Sequence, residues 1–511
     1  MRRALQLSGL SGLLVTGFLS TPAFAEEPTN ADAQQPTEEA QAEQPAAVTP
    51  AAAVVAPAEV VAPVAKPKVG DLTTHGYFRG GFGASNKKGR MTCFQLALSG
   101  GLLSKYRLGN ECEVWAEVEF TTVVYAGDDG SVAHLHFMPV AFIPTTYIGY
   151  SPTGVTSSDQ GSPGTGATVA FPNLYADIQG ISWLFGGTAW AGTRYYKRES
   201  VYISDFFYWN PSGVGAGVED LRFGNMMESA PDSVRDMKFS LGFFAVDGEP
   251  GGSPQLPAQM DLGIRADLQV RGFRPWESGE LQLGFQYIAD YSNDYSPQID
   301  PVTNVTYQKS NTHGGWGVTF QWVQDVLGGN NKLALQYGKG GGTGFGTLSR
   351  FYYPDFSLHW DPAESRYRVV DVITIQPTAW YGQQTNFVYQ HDDNGTGVSG
   401  AVTKWYSVGT RASFGVLEHL KLLGEVGYDR VQKTNGADPQ WLLKATGAIA
   451  IAGARGFWGR PELRLFVTYA QWDKAAGGAS VDSGKLYTYP DANGAYTLSG
   501  KIYGLQAEAM W

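Results

Sequence analysis

The chain has only 2 cysteines in 511 residues, only 17% charged side chains and a net charge of −11. Each shortage narrows the choice of function. Two cysteines, Cys93 and Cys112, leave room for one disulfide, which the exported character argued below favours. The acidic balance argues against a nucleic-acid partner. No apolar run of about 20 residues follows Ala25, so no helix spans a membrane. No sustained helical period follows residue 72, which argues against an α/β enzyme. No repeat of about 20–50 residues supports a propeller or solenoid. The 7 histidines are scattered, and the close pair His134 and His136 has no ligand partners nearby in the sequence. No metal and no cofactor are therefore expected.

The N-terminus reads as a targeting segment. Arg2 and Arg3 precede a short apolar stretch from Leu7 to Leu19, and TPAFA (21–25) ends in a small-residue cleavage site. Residues 1–25 are expected to be a cleaved signal peptide. Residues 26–71 are rich in Ala, Pro and acidic residues and hold no aromatic side chain. Such a segment has too little apolar surface to offset its ordering entropy, so it reads as a disordered periplasmic linker. A peptidoglycan or other periplasmic contact is its alternative to a passive spacer.

What is abundant is β-forming. The sequence carries 65 Gly, 27 Tyr, 26 Phe and 14 Trp, as an all-β protein with many turns requires. Period-2 alternation recurs from 72 to 511. In KIYGLQAEAMW (501–511), Tyr503, Leu505, Ala507, Ala509 and Trp511 share one face, against Gly504, Gln506, Glu508 and Met510. In FWGRPELRLFVTYAQW (457–472), Leu463, Leu465, Val467 and Tyr469 oppose Trp458, Arg460, Glu462, Arg464, Phe466 and Thr468. SKYRLGNECEVWAEVEF (104–120) reads as one strand, with Arg107, Glu111, Glu113, Trp115, Glu117 and Glu119 on one face and Leu108, Val114, Ala116, Val118 and Phe120 on the other.

A soluble sandwich does not place a Trp among charges on its outer face. A water-filled barrel lumen does, and the plain apolar face then meets outer-membrane lipid. Aromatics at the ends of apolar faces fit interfacial girdles, and 440 residues provide about 16–18 spanning strands. The expected fold is a transmembrane antiparallel β-barrel over residues 72–511, located in a bacterial outer membrane.

Several long stretches, in order, resemble the maltoporin family of sugar-specific outer-membrane porins: HGYFRGGFG (75–83), SKYRLGNECEVWAEVEF (104–120), WAGTRYYKRESVYISDFFYW (190–209), GVGAGVED (213–220) and FWGRPELRLFVTYAQWDK (457–474). The resemblance implies about 18 strands, a homotrimer, no catalysis, and passive, facilitated diffusion of maltodextrin-like oligosaccharides. It implies a sugar-binding aromatic track at Tyr77, Trp115, Phe320, Trp458 and Met510. Met510 stands where the family has Trp, and Phe320 shares a strand phase with Val318 and Trp322. It implies polar lumen or constriction roles for Arg79, Arg107, Glu117, Arg198, Asp205 and Phe207, with the stretch around 190–220 folded inward as a third loop. It also implies an aromatic supplied by a neighbouring subunit's loop, for which the weakly matching 126–168 region offers no matching residue.

The chemistry agrees. A pyranose offers apolar C–H faces to aromatic rings and a rim of hydroxyls to charged donors and acceptors. Transport favours many weak sites over one tight site. A general diffusion porin, or a secreted carbohydrate-binding β-protein or glycoside hydrolase with paired carboxylates, is the alternative reading.

Overall fold

The computed structural model describes residues 67–86, 91, 93–98, 101–102, 104–144, 168–227, 229–247, 262–290, 298–299, 306–307, 314–345, 364–393, 402–434, 437–476 and 498–511. The expected signal peptide, most of the expected linker and the 145–167 segment lie outside them. Eighteen strands form one sheet. They are β1 (Leu72–Ser85), β2 (Glu113–Ala126), β3 (Val132–Pro144), β4 (Thr168–Ile181), β5 (Gly187–Arg194), β6 (Gly213–Arg222), β7 (Lys238–Asp247), β8 (Leu262–Trp276) and β9 (Gly279–Asp290). Then come β10 (Gly315–Val326), β11 (Gly329–Gly340), β12 (Ser365–Thr378), β13 (Tyr381–Asp393), β14 (Val402–Leu417), β15 (Leu420–Lys433), β16 (Gln440–Ala452), β17 (Glu462–Trp472) and β18 (Ser499–Met510).

Every strand pairs antiparallel with its chain neighbours, and β1 pairs with both β2 and β18. The sheet is therefore a closed up-and-down barrel. At the seam, Gly76 and Trp511 exchange backbone hydrogen bonds of 3.0 and 3.1 Å. A Cβ on Gly76 would lie 2.1 Å from the Trp511 ring, so only glycine lets the last residue close over the first strand. Pairing begins slightly before Leu72. Gly70 N donates to Val123 O at 2.8 Å, and Val123 N donates to Asp71 O at 3.0 Å, so the end of the segment read as linker is already tied to β2.

The two faces are inverted relative to a soluble protein. Along β17 burial alternates without a break: Leu463, Leu465, Val467 and Tyr469 are exposed, while Glu462, Arg464, Phe466 and Thr468 are buried. Arg265, Lys421, Lys444 and Arg464 are fully buried side chains, whereas Leu283, Leu335, Val408, Leu422 and Ile449 face outward. Charges inside and bare aliphatic groups outside fit a wall set in lipid around a polar lumen. Outward aromatics collect near strand ends. Tyr389 lies between Tyr367 and Tyr406, with ring centroids 5.8 and 5.0 Å away, and Tyr381 packs on Phe414 at 5.0 Å. Short turns such as Asp128-Asp129-Gly130 and Leu327-Gly328 share one rim with both ends of the sheet. In an outer-membrane barrel that rim is periplasmic.

The lumen is filled in part by two loops. Residues 104–112 were expected to continue β2, but the strand begins at Glu113. Tyr106 and Gly109 take positive φ (45° and 61°), which breaks the extended run. Leu108, expected on the outer face, is instead wholly buried among lumen residues. The second inward loop, 195–212, carries a short hairpin pairing Glu199–Val201 with Phe206–Trp209.

Replacing Leu465 by Arg places a charge on the lipid face near mid-strand. The expected cost is about 2–4 kcal/mol, read as a lower midpoint for denaturant unfolding in detergent or lipid, whereas Thr468→Ser on the lumen face leaves that midpoint nearly unchanged.

Candidate functional site: an ionic and aromatic lumen wall

Three elements converge on one side of the lumen: β1 with its neighbours β2 and β18, the first loop (104–112) and the third loop (195–212). Strand phase makes the convergence. Tyr77 and Arg79 are two residues apart and share the inner face of β1. Their register partners are Glu117 and Trp115 on β2 and Met510 and Glu508 on β18. All six therefore point inward from three adjacent strands.

Arg79 is the hub. Its guanidinium donates to Asp205 Oδ2 at 2.9 Å and to Glu113 Oε1 at 2.8 Å, and its Nε lies 3.6 Å from Glu111 Oε2. Lys105 binds Glu111 at 2.6 Å and also reaches Glu113. Arg107 donates to Glu111 at 2.6 Å, lies 3.2 Å from Glu508 and donates to the Tyr77 hydroxyl, which donates in turn to Glu508 at 2.9 Å. A second group continues around the wall. Arg460, in the turn between β16 and β17, donates to Glu508 at 3.0 Å and to the Tyr202 hydroxyl. Arg464 bridges Glu508 and Glu462.

These pairs hold both loops in place. Lys105 N and Arg107 N donate to the carbonyls of Ser204 and Ile203 at 2.7 and 2.9 Å, joining first loop to third. Leu108 N donates to Glu425 on β15 at 2.9 Å and Gly109 N to Gln506 on β18 at 3.1 Å. The Tyr106 hydroxyl meets Ser407 at 2.7 Å, and its ring lies flat over the wall. A Cβ on Gly409 or Gly427 would come within 2.0 or 2.2 Å of that ring. Cys93 and Cys112 are disulfide-bonded and anchor the first loop's return to β2.

Aromatic faces run beside the ionic groups. Trp115 lies level with Arg79, whose guanidinium carbon is 5.8 Å from the ring centroid, and its indole N–H donates to Glu117 at 3.1 Å. Two residues lower, Tyr77 faces Met510 across the seam. Arg107 lies between the rings of Tyr77 and Tyr202, at 5.7 and 4.9 Å. Tyr202 meets Trp458 edge-on at 4.9 Å, and Trp458 belongs to the turn at the short-turn rim. The series Trp115, Tyr77, Tyr202, Trp458 thus descends the wall toward that rim. Arg198 lies farther along the third loop, over the rings of Tyr195 (3.4 Å) and Phe207 (5.0 Å).

Phe320 does not join this series. Thr319 and Gln321 are buried, Gln321 accepting from the Tyr208 hydroxyl at 2.7 Å, so the alternate phase sends Val318 and Phe320 outward. Phe320 lies beside Leu283 and Leu335 on the outer wall. Sequence reasoning missed Lys105, Tyr106, Glu508, Arg460 and Trp405. Glu508 had the right signal, since it shares the inward face of β18 with Met510. Trp405, whose N–H donates to Asp429 at 2.9 Å while Phe206 packs on its ring at 5.0 Å, had none beyond strand phase.

Two predictions follow from the loop clamp. Burial opposes ionisation of Glu111, but Arg79, Lys105 and Arg107 hold its carboxyl well below the usual range. Burial likewise opposes Asp205, and Arg79, Arg107 and Lys105 lower it. Because both values are depressed on folding, their contribution is complete above the unfolded values of roughly 4–4.5 and is lost as pH falls through the lowered folded values. Hydrogen exchange of the 104–112 amides is expected to be unchanged in protection from pH 7 to 5, after correction for intrinsic rates, and to lose protection on further acidification. Gly427→Val is expected to displace Tyr106 and cost about 1–3 kcal/mol, seen as faster exchange in the same segment with the strand amides unaffected.

The LamB porin family model matches residues 72–511. Among solved structures, OccAB1 of Acinetobacter baumannii is similar with a TM-score of 0.44 and 10% identity, over 88% of this chain and 98% of that one. OmpF of Salmonella typhi in complex with daunomycin gives 0.40 and 9%, over 86% and 98%. The trimer form of OmpT of Vibrio cholerae gives 0.36 and 11%, over 87% and 100%. With the family matched over the entire barrel and the inverted wall, inward loops and charged lumen in view, this chain belongs to the LamB porin family of outer-membrane β-barrel porins.

Proposed function

We propose that the barrel is a sugar-selective porin: a homotrimer that lets maltodextrin-like oligosaccharides diffuse passively along Trp115, Tyr77, Tyr202 and Trp458. The observation that carries this reading is the interleaving of aromatic faces with paired ionic groups on one lumen wall. A sugar sliding there exchanges ring contacts with its C–H faces while its hydroxyls meet both donors (Arg79, Arg107, Arg460) and acceptors (Glu117, Glu508). None of these contacts is strong alone, which suits a path that must release its cargo. Met510 contributes a polarisable side chain beside Tyr77 in place of a ring.

The role is transport without catalysis. Glu111 and Glu113 are bound to Arg79 and Lys105, and Glu111 also to Arg107. Neither is placed as one of two carboxylates flanking a glycosidic bond. Family membership supports the trimer, and the leader-like N-terminus supports export with cleavage after Ala25. Residues 26–71 serve as a periplasmic spacer in this account.

Planar-bilayer recordings test the reading. Maltooligosaccharides are expected to block the ionic current saturably. Trp458→Ala is expected to raise the half-blocking concentration about three- to tenfold, the equivalent of roughly 0.7–1.4 kcal/mol, with little change in ion conductance. A sugar-independent linear conductance would leave a general diffusion porin instead.

A further inference from the structure

Away from the aromatic wall, β1 to β4 bring together ionisable side chains that sugar transport does not use. His134 and His136 occupy alternate positions on β3, two and four residues after its start at Val132. Both face the lumen near the short-turn rim. Asp177 on β4 is the register partner of His134. His134 Nδ1 donates to Asp177 Oδ1 at 2.9 Å, and His136 Nε2 donates to Asp177 Oδ2 at 3.1 Å. One carboxylate thus sits between two imidazoles, more than forty residues away in sequence, where no sequence spacing signals it.

The surroundings fix the rings. His136 stacks on Tyr175 with centroids 4.1 Å apart and planes within 3°. Its other nitrogen, Nδ1, faces Thr121 Oγ1 at 3.0 Å and Glu119 Oε1 at 3.4 Å. Glu119 is in turn held by Asn173 Nδ2 at 3.1 Å. Across the β1–β2 register from Glu119 stands His75, whose Nδ1 is buried with no hydrogen-bond partner.

We propose that His134, His136 and Asp177 form a binding site for a divalent transition-metal ion, of the Zn²⁺, Ni²⁺ or Cu²⁺ class, on the lumen wall near the periplasmic mouth. One donor atom from each residue lies within 4.8 Å of the others. Donors around a tetrahedral ion with ~2.0–2.1 Å bonds stand ~3.4 Å apart, a closure that small side-chain rotations supply. Two imidazoles and a carboxylate select this class over Mg²⁺ and Ca²⁺, which prefer all-oxygen shells. Water from the lumen completes the coordination.

In the metal-free state each ring donates to Asp177 from the nitrogen that faces it. When an ion takes that nitrogen, a neutral ring keeps its proton on the far nitrogen, whereas a ring protonated on both, the form that Asp177 and Glu119 together favour for His136, gives one proton up to lumen water. For His136 the far nitrogen is Nδ1, where Glu119 and Thr121 already stand as acceptors. This is the outer-shell arrangement that orients a ligating histidine and raises its basicity.

The test is Zn²⁺ titration of the purified, tag-free full-length protein by calorimetry, with competition by other ions. Expected are one Zn²⁺ per chain, displaced by Ni²⁺ or Cu²⁺ and not by millimolar Mg²⁺. His134→Gln with Asp177→Asn is expected to weaken affinity by more than about tenfold, and Glu119→Gln by less, while both variants keep heat-modifiable migration as folded barrels. Absence of a saturable site, equal competition by Mg²⁺, or unchanged affinity in the folded double variant would overturn the proposal. The readout is independent of sugar, so its failure leaves the transport reading intact.

Discussion

A chain crossing hydrocarbon finds no water for its backbone polar groups, so its sheet must have no open edge. In this protein that constraint is met at the pairing of β1 with β18, and at its end by the reciprocal bonds of Gly76 and Trp511. Closure dictates the rest. Once the sheet is a ring, each strand has an inside and an outside, and alternate side chains must suit water or lipid. The seam also borders the candidate site, because Tyr77, Arg79, Glu508 and Met510 project inward from the two strands that close it.

A lumen wide enough for eighteen strands needs filling, and the chain does this with loops held by charge. Arg79 contacts both loops, through Glu111 from the first and Asp205 from the third. Buried ion pairs of this kind add little net stability over apolar packing, yet removing one partner costs several kcal/mol because a buried charge is left alone. Such a network therefore acts mainly to position: it excludes alternative placements of residues 104–112 and 195–212. The same charges then serve a second use, as hydrogen-bonding neighbours of the aromatic rings.

The strands were legible because a wall between lipid and water enforces period 2. The faces assigned from alternation to 462–472 and 501–510 are the faces the structure shows, whereas 457–461, read as part of the same strand, form the turn before it. The loops were less legible. Residues 104–112 alternate as a strand does, and nothing local reveals the positive φ at Tyr106, which is imposed by docking against Gly409 and Gly427 three hundred residues away. Phe320 was misplaced because its strand carries large side chains in one phase and only Thr319 and Gln321 reveal which phase is inward. Asp177 was invisible as a partner of His134 and His136 for the same reason as most barrel contacts: it arises from register between strands, not from spacing along one.

The central claim is that one wall of the lumen forms a continuous path of rings and paired charges for sugar. The most direct test is a cryo-EM or crystal structure of the protein with a linear maltooligosaccharide of about six units. The account predicts successive glucosyl rings stacked over Trp115, Tyr77 and Trp458, with hydroxyls bonded to the Arg79, Arg107 and Glu508 network. An oligosaccharide ordered against a different wall, or none ordered at saturating concentration, would contradict it.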